Sequence, residues 1–160
     1  MAEQAAQIAK GAPVVLTEGP FDAYAVAVAT QGAVAGTATL GTALTAEQAH
    51  LLRDLHSAKA GRPRGRVLTA MDADDAGTLA ETKAFWLLSQ EEGEVEAVVL
   101  EPGWDPARLL SERGARVLLE ALQHGVPLSD RIIDRLIAGL GPGAAVEERI
   151  SVLVRCADVI

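Results

Sequence analysis

Apolar runs rich in β-branched residues alternate along this chain with longer segments whose apolar residues recur every three or four positions. Runs at residues 13–17, 66–71 and 95–100 predict buried strands, and residues 33–36 predict a shorter one. The segments between them predict helices at residues 21–30, 45–55 and 75–90. Strands separated by helices of this length favour right-handed crossovers and a parallel sheet. The pattern therefore predicts an α/β fold of four parallel strands flanked by helices.

Beyond residue 106 the pattern is entirely helical, with helices predicted at residues 107–112, 115–124, 128–140 and 144–159. We divide the chain into a flexible N-terminal segment (1–12), an α/β domain (13–125) and a C-terminal helical extension (126–160). The helical spacing predicts a core-facing stripe on each of the first three helices. The predicted inward residues are Phe21, Tyr24, Ala25 and Val28 on the first, Leu44, Leu51, Leu52 and Leu55 at the second, and Leu79, Phe85, Trp86 and Leu88 on the third.

The amino-acid composition limits the kinds of molecule that this chain could bind. The 160 residues carry a formal net charge of −8, so the chain has no excess of positive charge that would attract a polyanion such as nucleic acid. Bound cations or a neighbouring basic domain would have to supply that attraction. Cys156 is the only cysteine, which excludes a disulfide framework and a zinc site and favours a reducing, cytoplasmic setting. No apolar run reaches membrane-spanning length, so we expect no membrane association.

Acidic residues follow three of the predicted strands. Glu18 ends the first strand, Asp72 and Asp74 end the third, and Asp105 follows the fourth. Because parallel strands deliver their carboxyl ends to one edge of the sheet, these carboxylates are expected to meet there. An all-oxygen site suits a hard divalent cation, Mg²⁺ or Mn²⁺. Read from the residues alone, Asp105 also fits a helix N-cap, and Asp22 a first-turn charge that the helix dipole favours.

Four segments carry a resemblance to a known family. They are Glu18-Gly19-Pro20-Phe21-Asp22, the loop Thr39-Leu40-Gly41-Thr42-Ala43-Leu44-Thr45, the turn Asp72-Ala73-Asp74-Asp75-Ala76-Gly77, and Gly103-Trp104-Asp105-Pro106. In this order and spacing they resemble the TOPRIM domain, a Rossmann-like fold, in its bacterial DnaG-type primase branch. The resemblance covers residues 13 to about 125 and implies that this part is the catalytic domain.

The resemblance also implies roles for single residues. Glu18, Asp72 and Asp74 correspond to the catalytic residues, and with Asp22 and Asp105 they would line a site for Mg²⁺ or Mn²⁺. The implied activity is that of a primase-type, DNA-directed nucleotidyltransferase in DNA replication or plasmid transfer by conjugation. The implied partners are a DNA template, nucleoside triphosphates, and flanking domains of a larger protein, such as a helicase or relaxase, without which we expect the chain to be inactive.

The chain departs from the family pattern at Ala107, where the family has a second aspartate after the proline. The zinc-binding and basic DNA-gripping domains of the primases also have no counterpart in these residues. For contacts to nucleic acid or nucleotide we name Gly41, Lys83, Trp104 and Arg108 as candidates. The basic loop at residues 59–66 lies at the opposite edge of the predicted sheet and fits a solvated loop better.

Two alternatives remain open at this point. One is a TOPRIM domain that cleaves phosphodiester bonds, as topoisomerases and nucleases do. A topoisomerase needs a catalytic tyrosine, and the single tyrosine, Tyr24, is predicted to face the core. The other alternative is a docking module without turnover, whose contact surface would be the amphipathic helices of residues 128–140 and 146–159.

Overall fold

The sheet forms the centre of the fold. The computed structural model describes residues 2–40, 43–57, 65–72, 75–92 and 94–160. The strands within these residues are β1 (Val14–Thr17), β2 (Ala35–Ala38), β3 (Val67–Ala70), β4 (Val95–Ala97) and β5 (Val126–Pro127). They lie in the order β2-β1-β3-β4-β5; the first four are parallel, and β5 is antiparallel to β4. The predicted α/β fold with parallel strands is confirmed, and β5 adds a fifth strand that the sequence pattern did not predict.

Helices cover both faces of this sheet. They are α1 (Ala2–Ile8), α2 (Pro20–Ala29), α3 (Ala46–Ser57), α4 (Asp75–Glu92), α5 (Pro106–Arg113), α6 (Ala115–Gln123), α7 (Leu128–Ala138) and α8 (Val146–Val159). The alternation of side chains along β1 shows the two layers: Val14 and Leu16 pack with α1, α3, α4, α7 and α8, whereas Val15 packs with α2, α5 and α6. Because both faces are covered, all four residues of β1 are buried.

Helix α2 lies very close to the edge strand β2. A Cβ atom at Gly36 would stand 2.1 Å from the carbonyl oxygen of Ala23, so only glycine permits this approach. Only Glu18 and Gly19 separate β1 from α2, so the N-terminus of α2 lies at the carboxyl end of β1. That placement matters because Glu18 and Asp22 flank this junction.

The N-terminal segment differs from the flexible one that we predicted for residues 1–12. Ala2–Ile8 form α1, and the Ile8 side chain is buried against the core. The physical reason is that α3 and the β2 edge leave an apolar space that Ile8 fills. The short helix is therefore attached to the sheet through one apolar side chain.

Six side chains predicted to face the core do not. Phe21, Tyr24, Val28, Leu51, Leu79 and Trp86 are all at least 42% exposed, so these predictions are wrong. In α2 the buried face consists instead of Ala23, Ala25, Val26 and Ala29. In α4 the predicted burial of Phe85 and Leu88 is confirmed, and Ala84 is buried beside them. Small side chains suffice on α2 because the helix packs so closely on β2.

A buried ion cluster joins α4 to α7. Glu81 is 2% exposed, and its Oε2 accepts hydrogen bonds from Nε of Arg131 at 3.1 Å and pairs with Nη2 of Arg135 at 2.7 Å. The two guanidinium groups supply the countercharge that a buried carboxylate requires.

Among the described helices, none combines the length and the apolar character needed to cross a membrane.

Candidate functional site

The carboxyl edge of β1 and β3 brings Glu18 and Asp72 together. Thr17 is paired with Ala70 in the parallel register, so the residues that leave the two strands start side by side. Oε1 of Glu18 accepts a hydrogen bond from the backbone N–H of Asp72 at 3.2 Å. Two acidic residues separated by 54 positions thus lie at one point of the sheet edge.

The N-terminus of α5 brings two further acids to this edge. Asp105 is the N-cap of α5, and its Oδ1 accepts the Arg108 N–H at 2.6 Å. Oδ1 of Asp22, in the first turn of α2, accepts the Ala107 N–H at 3.1 Å. The N-cap role that the sequence left open for Asp105 is therefore present in the structure. The free N–H groups and positive dipole of the helix end hold both carboxylates in place.

The charges of these acids affect one another. Burial raises the pKa of the Asp22 carboxyl above its usual value, and the negative charges of Asp105 and Asp72 raise it further, while the Ala107 N–H opposes the shift. The Asp22 carboxyl is therefore influenced by acids that follow two other strands, β3 and β4. Together with Glu18, which binds the Asp72 N–H, these residues place four acids at the same edge of the sheet.

Gly77 allows the approach of α4 to this site. A Cβ atom at position 77 would stand 2.0 Å from the carbonyl oxygen of Asp72 and 3.0 Å from Oε1 of Glu18. Any other residue would push α4 away from the carboxylates.

Leu40 lies beside the same edge: it has a φ of +65°, and its N–H donates to the Glu18 carbonyl at 3.1 Å. Such a left-handed conformation is uncommon outside glycine.

The oxygen atoms at this edge match the ligand preference of a divalent cation. All candidate ligands are carboxylate oxygens, which Mg²⁺ and Mn²⁺ prefer, and Glu18, Asp22 and Asp105 each accept a backbone N–H through one of their two oxygens. A cation would also neutralise the repulsion that raises the pKa of Asp22. Among the residues that the structure describes, no three histidine, cysteine or acidic side chains already stand at metal-ligand spacing. Asp74, the fifth predicted ligand, and Gly41 lie outside the described residues.

The loop that carries Asp105 is held by a cluster around Trp104. The Trp104 ring packs against the apolar layer of α5 and α6, and the guanidinium carbons of Arg113 and Arg108 lie 3.9 and 4.6 Å from its centroid. Arg113 also donates to both carboxylate oxygens of Glu101, at 2.9 and 3.2 Å. Base stacking on Trp104, which the sequence suggested, would require these guanidinium groups to move.

The remaining candidate contacts differ in their surroundings. Arg108 donates to Oε1 of Glu112 and to the Gly103 carbonyl, both at 2.8 Å, so its guanidinium is held between α5 and the loop that precedes it. Lys83 is exposed in the middle of α4. The sequence reasoning missed the pairing of Glu101 with Arg113 because no local pattern links residues twelve positions apart in different elements.

We expect Asp22→Asn to stabilise the metal-free chain at neutral pH. A carboxyl whose folded pKa is raised destabilises the native state while ionised, and this cost disappears as the pH falls through that pKa. Asparagine keeps the oxygen that accepts the Ala107 N–H. Because Asp22 is only half-buried, we expect a gain of at most about 1 kcal/mol in the free energy of unfolding.

Urea unfolding in EDTA measures this effect, with the exposed Asp134→Asn as the control of equal charge. The gain for Asp22→Asn should be present at about pH 7 and shrink towards about pH 4. A variant that is less stable than the wild type at neutral pH would contradict the repulsion inferred here.

Comparison with known proteins identifies relatives of the chain. Residues 15–110 match the Toprim-like family. The DNA primase of Campylobacter jejuni is 34% identical over 131 residues, which cover 82% of this chain and 20% of that protein. The DNA primase of Mycobacterium tuberculosis is 31% identical over 153 residues, covering 96% of this chain and 23% of the relative. The chain thus spans about a fifth of the length of these curated relatives.

Solved structures agree with these relatives. The RNA polymerase domain of Mycobacterium tuberculosis primase DnaG has a TM-score of 0.76 and 30% identity, over 97% of this chain and 48% of that one. The same domain in complex with a double-stranded DNA oligomer with a 6-nucleotide overhang has a TM-score of 0.72 and 28% identity, over 99% of this chain and 48% of that one. The likeness includes the C-terminal helices, since nearly the whole chain is matched.

Proposed function

Because this chain belongs to the Toprim-like family, in the branch of the bacterial DnaG-type primases, we propose that it is the metal-dependent catalytic domain of a primase-type nucleotidyltransferase. It would join nucleoside triphosphates on a DNA template, in DNA replication or plasmid transfer. The observation that carries the proposal is the convergence of Glu18, Asp22, Asp72 and Asp105 at the carboxyl edge of the sheet.

In this proposal the carboxylates hold Mg²⁺ or Mn²⁺, with Asp74 as a further ligand. When bound, the cation supplies the positive charge that activates an attacking hydroxyl and stabilises the leaving pyrophosphate. The chain's own part is to orient the carboxylates. The Asp72 N–H positions Glu18, and the N-terminus of α5 positions Asp22 and Asp105. Preorganised groups of this kind lower the cost of reaching the transition state.

Ala107 sets this site apart from the family pattern. Its backbone N–H binds Asp22, but its methyl group stands where the family has a carboxylate. We propose that one cation position is therefore weaker here than in the primases with two aspartates. The site has one anionic group fewer at the point where Asp22 and Asp105 come together.

Contacts to the substrates are proposed for the cations near this edge. Arg108 lies beside Asp105 and is the stronger candidate for a triphosphate, whereas Lys83 stands farther along α4. With a net charge of −8, the chain needs flanking domains of a larger protein to hold the DNA, and a helicase or relaxase would suit that role. A cytoplasmic setting follows from the same proposal.

A domain exchange tests this function. The matching segment of the Mycobacterium tuberculosis primase polymerase domain would be replaced by this chain, and primer synthesis on single-stranded DNA would be measured with Mn²⁺. We expect template-dependent synthesis that is lost in the same chimera with Asp72→Ala. The wild-type polymerase domain serves as the positive control, and circular dichroism reports whether each chimera is folded.

The same chimera discriminates between the remaining alternatives. A folded chimera that binds Mn²⁺ yet nicks supercoiled plasmid instead of making primers would establish a phosphodiester-cleaving domain. Tyr24 is relevant to that outcome because it is exposed rather than buried. A folded chain that binds no divalent cation would leave a docking module without turnover.

A further inference from the structure

A tight turn lies directly before the candidate ligand Asp105. The Trp104 N–H donates to the Glu101 carbonyl at 3.0 Å and closes this turn. Pro102 occupies its second position, and Gly103 has a φ of +76° at the third, as in a type II turn. Because Asp105 leaves the turn and immediately caps α5, the position of the turn sets the position of the Asp105 carboxylate.

Arg113 reaches back to this turn from the other end of α5. It lies in the last turn of the helix, and its Nη1 and Nη2 donate to Oε1 and Oε2 of Glu101 at 2.9 and 3.2 Å. The turn, α5 and the Arg113 side chain therefore form a closed path. Both ends of α5 are tied to the segment that carries Asp105.

The Trp104 ring adds a second contact to this closed path. The ring packs against the apolar layer that includes Leu109, and the guanidinium carbon of Arg113 lies 3.9 Å from the ring centroid. A planar guanidinium can stack on an aromatic ring while it binds a carboxylate through two N–H groups. Arg113 makes both contacts at once, and lysine has neither the plane nor the fork to replace it.

The arrangement of this ion pair differs from that of an ordinary surface pair. The side chains of Arg113 and Glu101 are 40% and 64% exposed, and exposed pairs contribute little to the stability of a fold. The pair of Arg116 and Glu120 links two residues one helical turn apart within α6. Arg113 and Glu101 are twelve positions apart in different elements, so their pairing restrains a turn against a helix.

We propose that Arg113 is a positioning residue for the cation site. By fixing the turn it fixes the start of α5, whose backbone N–H groups hold the carboxylates of Asp22 and Asp105. Without Arg113 these carboxylates have to be ordered when the cation binds, and loss of such orienting contacts weakens metal binding by about 10- to 100-fold. These carboxylates bind a cation only under the proposed function, on which the positioning role of Arg113 therefore rests.

The sign of the expected effect separates positioning from electrostatic attraction. Removal of a positive charge from an acidic chain should, by Coulomb's law, leave the affinity for a cation unchanged or raise it. Positioning has the opposite effect, so Arg113→Gln should weaken Mn²⁺ binding by roughly 10-fold. Arg116→Gln removes the same charge from a side chain that is 82% exposed, and it should bind Mn²⁺ at least as tightly as the wild type.

Isothermal titration of the full chain with Mn²⁺ measures these affinities, and urea unfolding in EDTA checks that each variant is folded. Arg113→Lys keeps the charge but loses the fork, so it should recover only part of the affinity that Arg113→Gln loses. If Arg113→Gln does not fold, Arg113→Lys is compared with Arg116→Lys, since both retain the charge.

The two ways in which the experiment can fail are distinct. If the wild-type chain binds Mn²⁺ and folded Arg113→Gln binds it as tightly as Arg116→Gln, the positioning role is overturned and the proposed function stands. If the wild-type chain itself binds no Mn²⁺, the proposed function is overturned and the positioning role falls with it.

Discussion

Asp72→Ala should reduce the affinity of the chain for Mn²⁺ by at least roughly 100-fold, because loss of a ligand costs more than loss of the groups that merely orient ligands. Asp72 lies where the structure brings Glu18, Asp22 and Asp105 together, and its charge is one cause of the raised pKa of Asp22. The backbone N–H that binds Glu18 remains in the variant, so the fold should be preserved.

Isothermal titration with Mn²⁺ measures this loss directly, and thermal unfolding in EDTA checks the fold. Asp134→Ala is the matched control, because it removes the same charge from an exposed position on α7. If Asp72→Ala and Asp134→Ala weaken Mn²⁺ binding equally, the effect comes from net charge alone, and the proposed site is wrong. In the chimeric polymerase domain, Asp72→Ala should also abolish primer synthesis.

Glu81→Ala should destabilise the fold by about 3 kcal/mol, the largest effect that we expect away from the site. The carboxylate is 2% exposed and binds Arg131 and Arg135, so its removal leaves two partly buried guanidinium groups without a countercharge. Because this cluster joins α4 to α7, its loss should also loosen the packing of α7 against α4.

Urea unfolding followed by far-ultraviolet circular dichroism measures this change. Glu120→Ala provides the control, since Glu120 pairs with Arg116 on the open surface of α6, and such pairs contribute less than about 1 kcal/mol. A Glu81→Ala variant within about 1 kcal/mol of the wild type would show that the buried cluster does not stabilise the fold.

The exposed side chains illustrate where sequence reasoning fails. A helical spacing of apolar residues shows that a helix has an apolar stripe, but the number of stripes that become covered depends on what packs beside the helix. Tyr24 lies on the uncovered side of α2 because the close approach at Gly36 needs only small residues on the covered side. Strand β5 was missed for another reason: two residues cannot show a period.

The sequence by itself determined the α/β fold and the position of acids after three strands, since burial on both faces selects continuous apolar runs and parallel strands end at one edge. Only the tertiary structure decided how those acids are held. The bonds from Glu18 to the Asp72 backbone and from Asp22 to the Ala107 backbone join residues 54 and 85 positions apart. No local sequence pattern encodes such pairs, because they depend on how the helices pack against the sheet.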